Sequence, residues 1–180
     1  MKQKETMNKE INNSIILTGM PGSGKSTIAK GLSIKTGLDL IDLDLLIEEN
    51  ENKKITEIFK NFGEQYFRNL ETNYIKSLIN KNNFILSTGG GTVIKEENIV
   101  LLKSIGKVFY LDVTPDIIYE RIKGDKSRPL LNCENPAEKL NFLYNSRINS
   151  YKKADYIIDA NKSTDKITDE IIKIYEKNKC

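Results

Sequence analysis

Ser14-Ile15-Ile16-Leu17-Thr18-Gly19-Met20-Pro21-Gly22-Ser23-Gly24-Lys25-Ser26-Thr27 is an apolar run feeding a glycine-rich turn that opens a helical pattern. The turn fits G-x-x-x-x-G-K-[ST], and a strand before it with a helix after it is the context in which that spacing binds nucleotide phosphates. Small residues let the backbone wrap a polyphosphate, and successive N–H groups and the new helix N-terminus point at the anion. On this reading Gly22, Ser23, Gly24, Lys25, Ser26 and Thr27 hold a nucleoside triphosphate. Lys25 reaches the outer phosphates and the Ser26 hydroxyl binds Mg²⁺ directly. The plain alternative, a chance glycine turn followed by an exposed lysine, does not account for the flanking strand and helix. The motif by itself does not specify a reaction.

Beyond this loop, apolar runs and helical periods alternate. Strand-like segments are Ser14–Thr18, Leu38–Asp42, Phe84–Ser87, Lys107–Asp112 and Tyr156–Ile158. Helical patterns cover Lys25–Thr36, about Ile55–Asn80 with a break near Gly63, Glu96–Leu102, Pro115–Lys123, Pro136–Lys152 and Thr164–Asn178. Thr114-Pro115 reads as an N-cap followed by proline at the first helical position. Strands alternating with helices predict an α/β domain whose parallel sheet is covered on both faces, with ligands beyond the carboxyl ends of the strands. Two stretches depart from the rhythm. The helical insertion between the second and third strands exceeds what a crossover needs, and Gly124–Asn135 (GDKSRPLLNCEN) reads as a flap between two helices.

A chain of 180 residues fits one domain with a substantial core. Its net charge of +3, spread over scattered lysines, gives no basic patch and argues against a nucleic-acid partner. No apolar run reaches membrane-spanning length, and residues 1–12 (MKQKETMNKEIN) lack a signal peptide's apolar core. They read as a disordered extension ahead of a domain at 13–180, in a cytoplasmic protein without a membrane partner. Cys133 and Cys180 are isolated and suit free thiols. Histidine is absent, so any general base is a carboxylate or a lysine. Of 28 basic residues only four are arginine: Arg68, Arg121, Arg128 and Arg147. Where lysine is written almost everywhere, the positions that keep a rigid guanidinium fork are the first candidates for binding carboxylate or phosphate.

Other candidates follow the strand ends. Asp42-Leu43-Asp44 closes the second strand, and period-two alternation would turn both carboxylates to the ligand edge. One could hold the hydration shell of Mg²⁺ while the other accepts a hydroxyl's proton; alternatively Asp44 caps the following helix. Gly89-Gly90-Gly91 after the third strand permits backbone to approach a ligand, or is merely a flexible turn. Arg68 lies one turn from Glu71, which either pairs with it or holds its fork for a substrate carboxylate. Arg147 sits on the helix after the flap, and Arg128 lies within the flap, where an arginine closing over phosphates would stabilise transition-state charge.

These residues together resemble the shikimate kinases: GMPGSGKST, then IDLD, GEQYFR, STGGG, SRPLL in the flap and the arginine of RINSY, in order and over nearly the whole chain after the extension. The resemblance implies a P-loop NTPase fold of the nucleoside-monophosphate-kinase-like kind. That fold has a five-stranded parallel sheet flanked by helices, a substrate-binding insertion at about 43–80 and a lid at about 124–135. It implies ATP-dependent phosphorylation of the 3-hydroxyl of shikimate, on the route to chorismate and aromatic amino acids. Carried over by motif, Gly22 to Thr27 hold ATP, Lys25 stabilises the transferring phosphoryl group, and Asp42 supports Mg²⁺ through water. Asp44 binds the acceptor hydroxyl and is the candidate base. Arg68 and Arg147 grip the shikimate carboxylate beside Gly89, Gly90 and Gly91. Arg128 closes on the ATP phosphates and Arg121 packs against adenine. A monomer is the default expectation.

Asn149 departs from the family's usual proline after the substrate arginine, and Asn161-Lys162-Ser163 offers only Lys162 where some relatives place an arginine near the nucleotide. Two other kinases remain as alternatives. A nucleoside monophosphate kinase would need more arginines to neutralise two phosphorylated substrates, whereas a kinase of a different hydroxylated carboxylic acid would need similar groups. A GTPase switch is disfavoured because Asn161-Lys162-Ser163-Thr164-Asp165 is one residue too long for a guanine-reading Asn-Lys-x-Asp.

Overall fold

In the computed structural model, residues 13–123 and 134–177 are described. The expected N-terminal extension, most of the expected lid with Arg128 and Cys133, and Cys180 lie outside the described residues. Five strands, β1 (Ile15–Thr18), β2 (Asp39–Asp42), β3 (Phe84–Ser87), β4 (Lys107–Asp112) and β5 (Tyr156–Asp159), form one sheet in the order β2-β3-β1-β4-β5. Every neighbouring pair is parallel. All four residues of β1 and of β3 are buried. Strands with both faces buried need a layer of helices on each side, and this is why they read as continuous apolar runs.

The helices are α1 (Lys25–Thr36), α2 (Leu43–Glu51), α3 (Ile55–Ser77), α4 (Glu96–Ile105), α5 (Pro115–Ile122), α6 (Pro136–Tyr151) and α7 (Thr164–Lys177), with a 3₁₀ turn at Thr92–Ile94. Thr114 and Pro115 stand at the expected start of α5, though the Thr114 side chain makes no cap bond. The break expected near Gly63 is present inside α3, where Gly63 adopts φ 80° and ψ 172°. Strand β2 starts one residue later than expected. Leu38 is instead part of the turn after α1, its N–H donating to Thr36 Oγ1 and its carbonyl accepting from Ser33 Oγ.

The principal correction concerns Asp42-Leu43-Asp44. The strand ends at Asp42, and α2, which the sequence reading did not delimit within the helical insertion, begins at Leu43. Asp42 Oδ1 accepts the N–H groups of Asp44 and Leu45 at 3.1 and 3.3 Å, so Asp42 caps this helix and Asp44 does not. The cap bonds satisfy two of the helix's first N–H groups, and that turns the chain out of the sheet.

Topology then concentrates the chemistry. The strand order reverses beside β1, and β1 and β3 carry the lysine loop and the glycine triplet at their adjacent carboxyl ends. The loop is kept tight by Gly22, whose φ of 81° and whose closeness to Ile118 and Ile122 leave no place for a side chain.

Candidate active site

The lysine loop leads into α1 with Gly24 at its N-cap. Lys25 Nζ donates to the carbonyls of Gly19 and Met20 at 2.9 and 3.0 Å, which holds the ammonium at the mouth of the loop. Ser26 Oγ lies 3.4 Å from Asp42 Oδ2, joining the first turn of α1 to the end of β2. A cavity of about 400 Å³ spans this region. Gly22, Gly24, Lys25, Ser26, Thr27, Asp42, Asp44, Gly90 and Arg121 are among its walls. A smaller cavity of about 240 Å³ continues past Ser23, Gly24, Thr27 and Arg121 to Lys162 and Thr164. Arg121 stands between the two, its Nη1 donating to Ser23 O and its Nη2 to Ala160 O at 3.3 and 2.9 Å. Lys162 is drawn toward Glu170 and Asp159, at 3.1 and 3.8 Å.

On the other side of Asp44 lies a cavity of about 320 Å³ lined by Arg68, Gly89, Gly90, Gly91 and Arg147, together with Pro21, Ile55, Phe59, Phe67 and Leu143. The two arginines reach it from α3 and α6. Arg68 Nη1 donates to the buried Glu71 at 2.7 Å, and its Nη2 to the exposed Glu64 at 2.9 Å. Glu71 therefore pairs with Arg68, the first of the two roles left open by the sequence. Arg147 Nη1 donates to Gly90 O at 3.2 Å, and the buried Tyr151 hydroxyl donates to the same carbonyl. A Cβ on Gly90 would lie 2.5 Å from the Pro21 ring, so the glycine loop rests directly on the lysine loop. Pro21, Asp44 and Gly90 border both large cavities, making this contact the seam between them.

Asp44 is the group at that seam. Its Oδ1 is buried without a hydrogen-bond partner. Burial, reinforced by Asp42 and Glu71, pushes its pKa up to about 6 against the opposing pull of Lys25 and Arg68. At neutral pH such a carboxylate is ionised yet a better proton acceptor than an ordinary aspartate.

The donor set also suits a magnesium ion. One hydroxyl and one carboxylate face each other across 3.4 Å. Among the described residues no group of three or more His, Cys, Asp or Glu side chains could cage a metal. Mg²⁺ usually takes one or two protein oxygens and completes its shell with water and phosphate.

Of the residues singled out from sequence, those of the loop, Asp42, Asp44, Arg68, Arg121, Arg147 and the three glycines line these three cavities; Arg128 lies outside the described residues. Pro21, Tyr151 and the apolar wall of Ile55, Phe59, Phe67 and Leu143 were missed. The apolar residues follow helical periods, which sequence reading assigns to core, and nothing in the chain links Pro21 to Gly90.

A phosphate loop and a two-arginine cavity meeting at one carboxylate define a phosphotransferase that moves a phosphoryl group from a nucleotide to a small acceptor. The family model for shikimate kinase matches residues 21–176. The shikimate kinase of Clostridium botulinum (strain Loch Maree / Type A3) is 45% identical over 166 residues, covering 91% of this chain and 96% of that protein. That of Thermodesulfovibrio yellowstonii is 39% identical over 165 residues, covering 91% and 95%. Among solved structures, the shikimate kinase of Acinetobacter baumannii in complex with shikimate superposes with a TM-score of 0.86 at 33% identity, covering 95% of this chain and 96% of that one. A gluconokinase from Sinorhizobium meliloti, with a TM-score of 0.61 at 14% identity over 91% of each chain, shares the fold alone. This chain belongs to the shikimate kinase family.

Proposed function

We infer that the protein transfers the terminal phosphoryl group of ATP to the 3-hydroxyl of shikimate, giving shikimate 3-phosphate and ADP. The observation that carries this reading is the meeting of two cavities at Asp44, one floored by the phosphate loop and the other walled by Arg68 and Arg147. The acceptor binds with its carboxylate toward the two guanidinium groups, a charge match that lysine's compact ammonium reproduces poorly. Its hydroxyl then faces Asp44. The acceptor oxygen bonds to the γ-phosphorus as the bond to the β–γ bridging oxygen breaks, ADP leaves, and the hydroxyl proton passes to Asp44 Oδ1. Lys25 and the loop N–H groups face the outer phosphates, where charge is spread over the transferring group. Ser26 directly and Asp42 through water would hold Mg²⁺, which when bound neutralises phosphate charge. Arg121 flanks the adenine ring of ATP, and the resemblance assigns Arg128 to its phosphates.

ADP release measured with shikimate, gluconate and AMP as acceptors tests the reading. Turnover with shikimate alone is expected. Turnover with AMP and none with shikimate would overturn it.

A further inference from the structure

Four side chains that the proposed chemistry does not use form a buried hydrogen-bonded chain behind Arg68. Glu71, Thr92 and Asn98 have no solvent exposure, and Thr72 has almost none. Glu71 Oε2 accepts from Arg68 Nη1 at 2.7 Å, while Glu71 Oε1 accepts from the Thr92 hydroxyl. The Thr92 carbonyl accepts from Asn98 Nδ2 at 2.9 Å, and Asn98 Oδ1 accepts from the Thr72 hydroxyl at 2.8 Å. The chain ties three elements together: α3, the 3₁₀ turn after the glycine triplet, and the first turn of α4.

The two sides of the Arg68 guanidinium are held very differently. On the solvent side it meets Glu64, whose side chain is 61% exposed, and such screened pairs orient little. On the inner side it meets a carboxylate with no exposure, whose orientation is set by the hydrogen bonds that its two oxygens accept. The Thr92 hydroxyl supplies the bond to the second oxygen. Space enforces the arrangement as well. A Cβ on Gly89 would stand 2.8 Å from Asp44 Oδ1, 3.0 Å from Glu71 Oε1 and 3.2 Å from Thr92 Oγ1. Asn98 in turn fixes the backbone of Thr92, because its bond to the Thr92 carbonyl pins the start of the 3₁₀ turn.

We propose that Thr92, braced by Asn98, is a positioning residue for recognition of the acceptor's carboxylate: its hydroxyl locks Glu71, and Glu71 aims the fork of Arg68 into the acceptor cavity. The inference rests on the reading that Arg68 grips that carboxylate. Thr92 touches neither substrate. Its loss therefore acts chiefly on acceptor binding and spares the phosphate loop, while Asp44 feels it only through the charge of Glu71.

The test compares Thr92→Val, Thr92→Ser and Arg68→Lys by steady-state kinetics with ATP and shikimate each varied at saturating partner. Thr92→Val is expected to raise the KM for shikimate about tenfold, a larger change than in kcat, with the KM for ATP within about twofold of wild type. Thr92→Ser, which keeps the hydroxyl, is expected to restore the wild-type KM. Should Thr92→Val be insoluble, Thr92→Ala removes the same hydroxyl with a smaller side chain and carries the same expectation. An unchanged shikimate KM in the hydroxyl-less variant, beside a raised one in Arg68→Lys, overturns the positioning role even if thermal stability falls. An unchanged shikimate KM in Arg68→Lys overturns the underlying assignment of Arg68 instead.

Discussion

Replacing Asp44 with asparagine should make the protein at once inactive and more stable, and the size of the gain can be worked from the site. The carboxyl's pKa stands at about 6 in the fold against the ordinary aspartate value of 3.8. A raised pKa means that the folded state favours the protonated form. Its contribution to stability is therefore complete below about pH 4 and is lost as pH rises through about 6. The difference of about two units corresponds to roughly 3 kcal/mol at pH 8, when the group is ionised in both states, and to roughly half of that at pH 5. Asparagine has the shape of the neutral form and cannot ionise, so it escapes this cost. One loss runs the other way. Asp44 lies in the first turn of α2, where a negative charge is favourable by about 0.3–1 kcal/mol. The net gain at pH 8 is then about 2 kcal/mol, or roughly 4–8 °C in melting midpoint for a chain of this size.

The measurement is thermal or urea unfolding of wild type and Asp44→Asn at pH 5 and pH 8, with nucleotide absent and EDTA present so that no cation sits beside the carboxylate. The variant should melt higher at pH 8, and its advantage should shrink by half or more at pH 5. In the same preparation turnover should fall by about 10²–10⁴-fold, the usual worth of general-base assistance. A variant no more stable than wild type at pH 8 would refute the argument that burial and the neighbouring Asp42 and Glu71 strain this carboxylate. Near-normal turnover would separately remove Asp44 from the chemistry.

Arg147→Lys keeps the charge but loses the fork, so it should chiefly raise the KM for shikimate, and a change confined to the KM for ATP would place Arg147 on the wrong ligand. Gly90→Ala puts a methyl group where the Pro21 ring stands 2.5 Å away, so the glycine loop and the lysine loop must separate. The KM values for ATP and shikimate should then rise together, and wild-type values for both would show that the seam between the cavities is more yielding than this packing implies.

The central strands and the lysine loop were legible because β1 and β3 are buried along their whole length and leave unbroken apolar runs. The scarcity of arginine was equally informative: in a lysine-rich chain, Arg68, Arg121 and Arg147 all border the three cavities. What could not be read is of a different physical kind. The packing of Gly90 on Pro21, the bond from Tyr151 to Gly90 and the link from Thr92 to Glu71 join residues far apart in sequence, and no local pattern encodes such partners.

Asp44 reaches its expected place by a mechanism other than the one the sequence suggested. Strand alternation placed Asp42 and Asp44 on one side, and both do line the phosphate cavity. Yet Asp44 arrives there through a helical turn, begun when Asp42 Oδ1 takes the N–H groups of Asp44 and Leu45. The other oxygen of Asp42 faces Ser26 at 3.4 Å. One side chain thus closes the strand, starts the helix that carries Asp44 and faces the proposed metal hydroxyl. The spacing of the two aspartates is accordingly set by a helix cap. Inserting a residue between them would leave a strand's alternation recoverable by register shift, whereas here it would detach Asp44 from the turn that brings it to the seam.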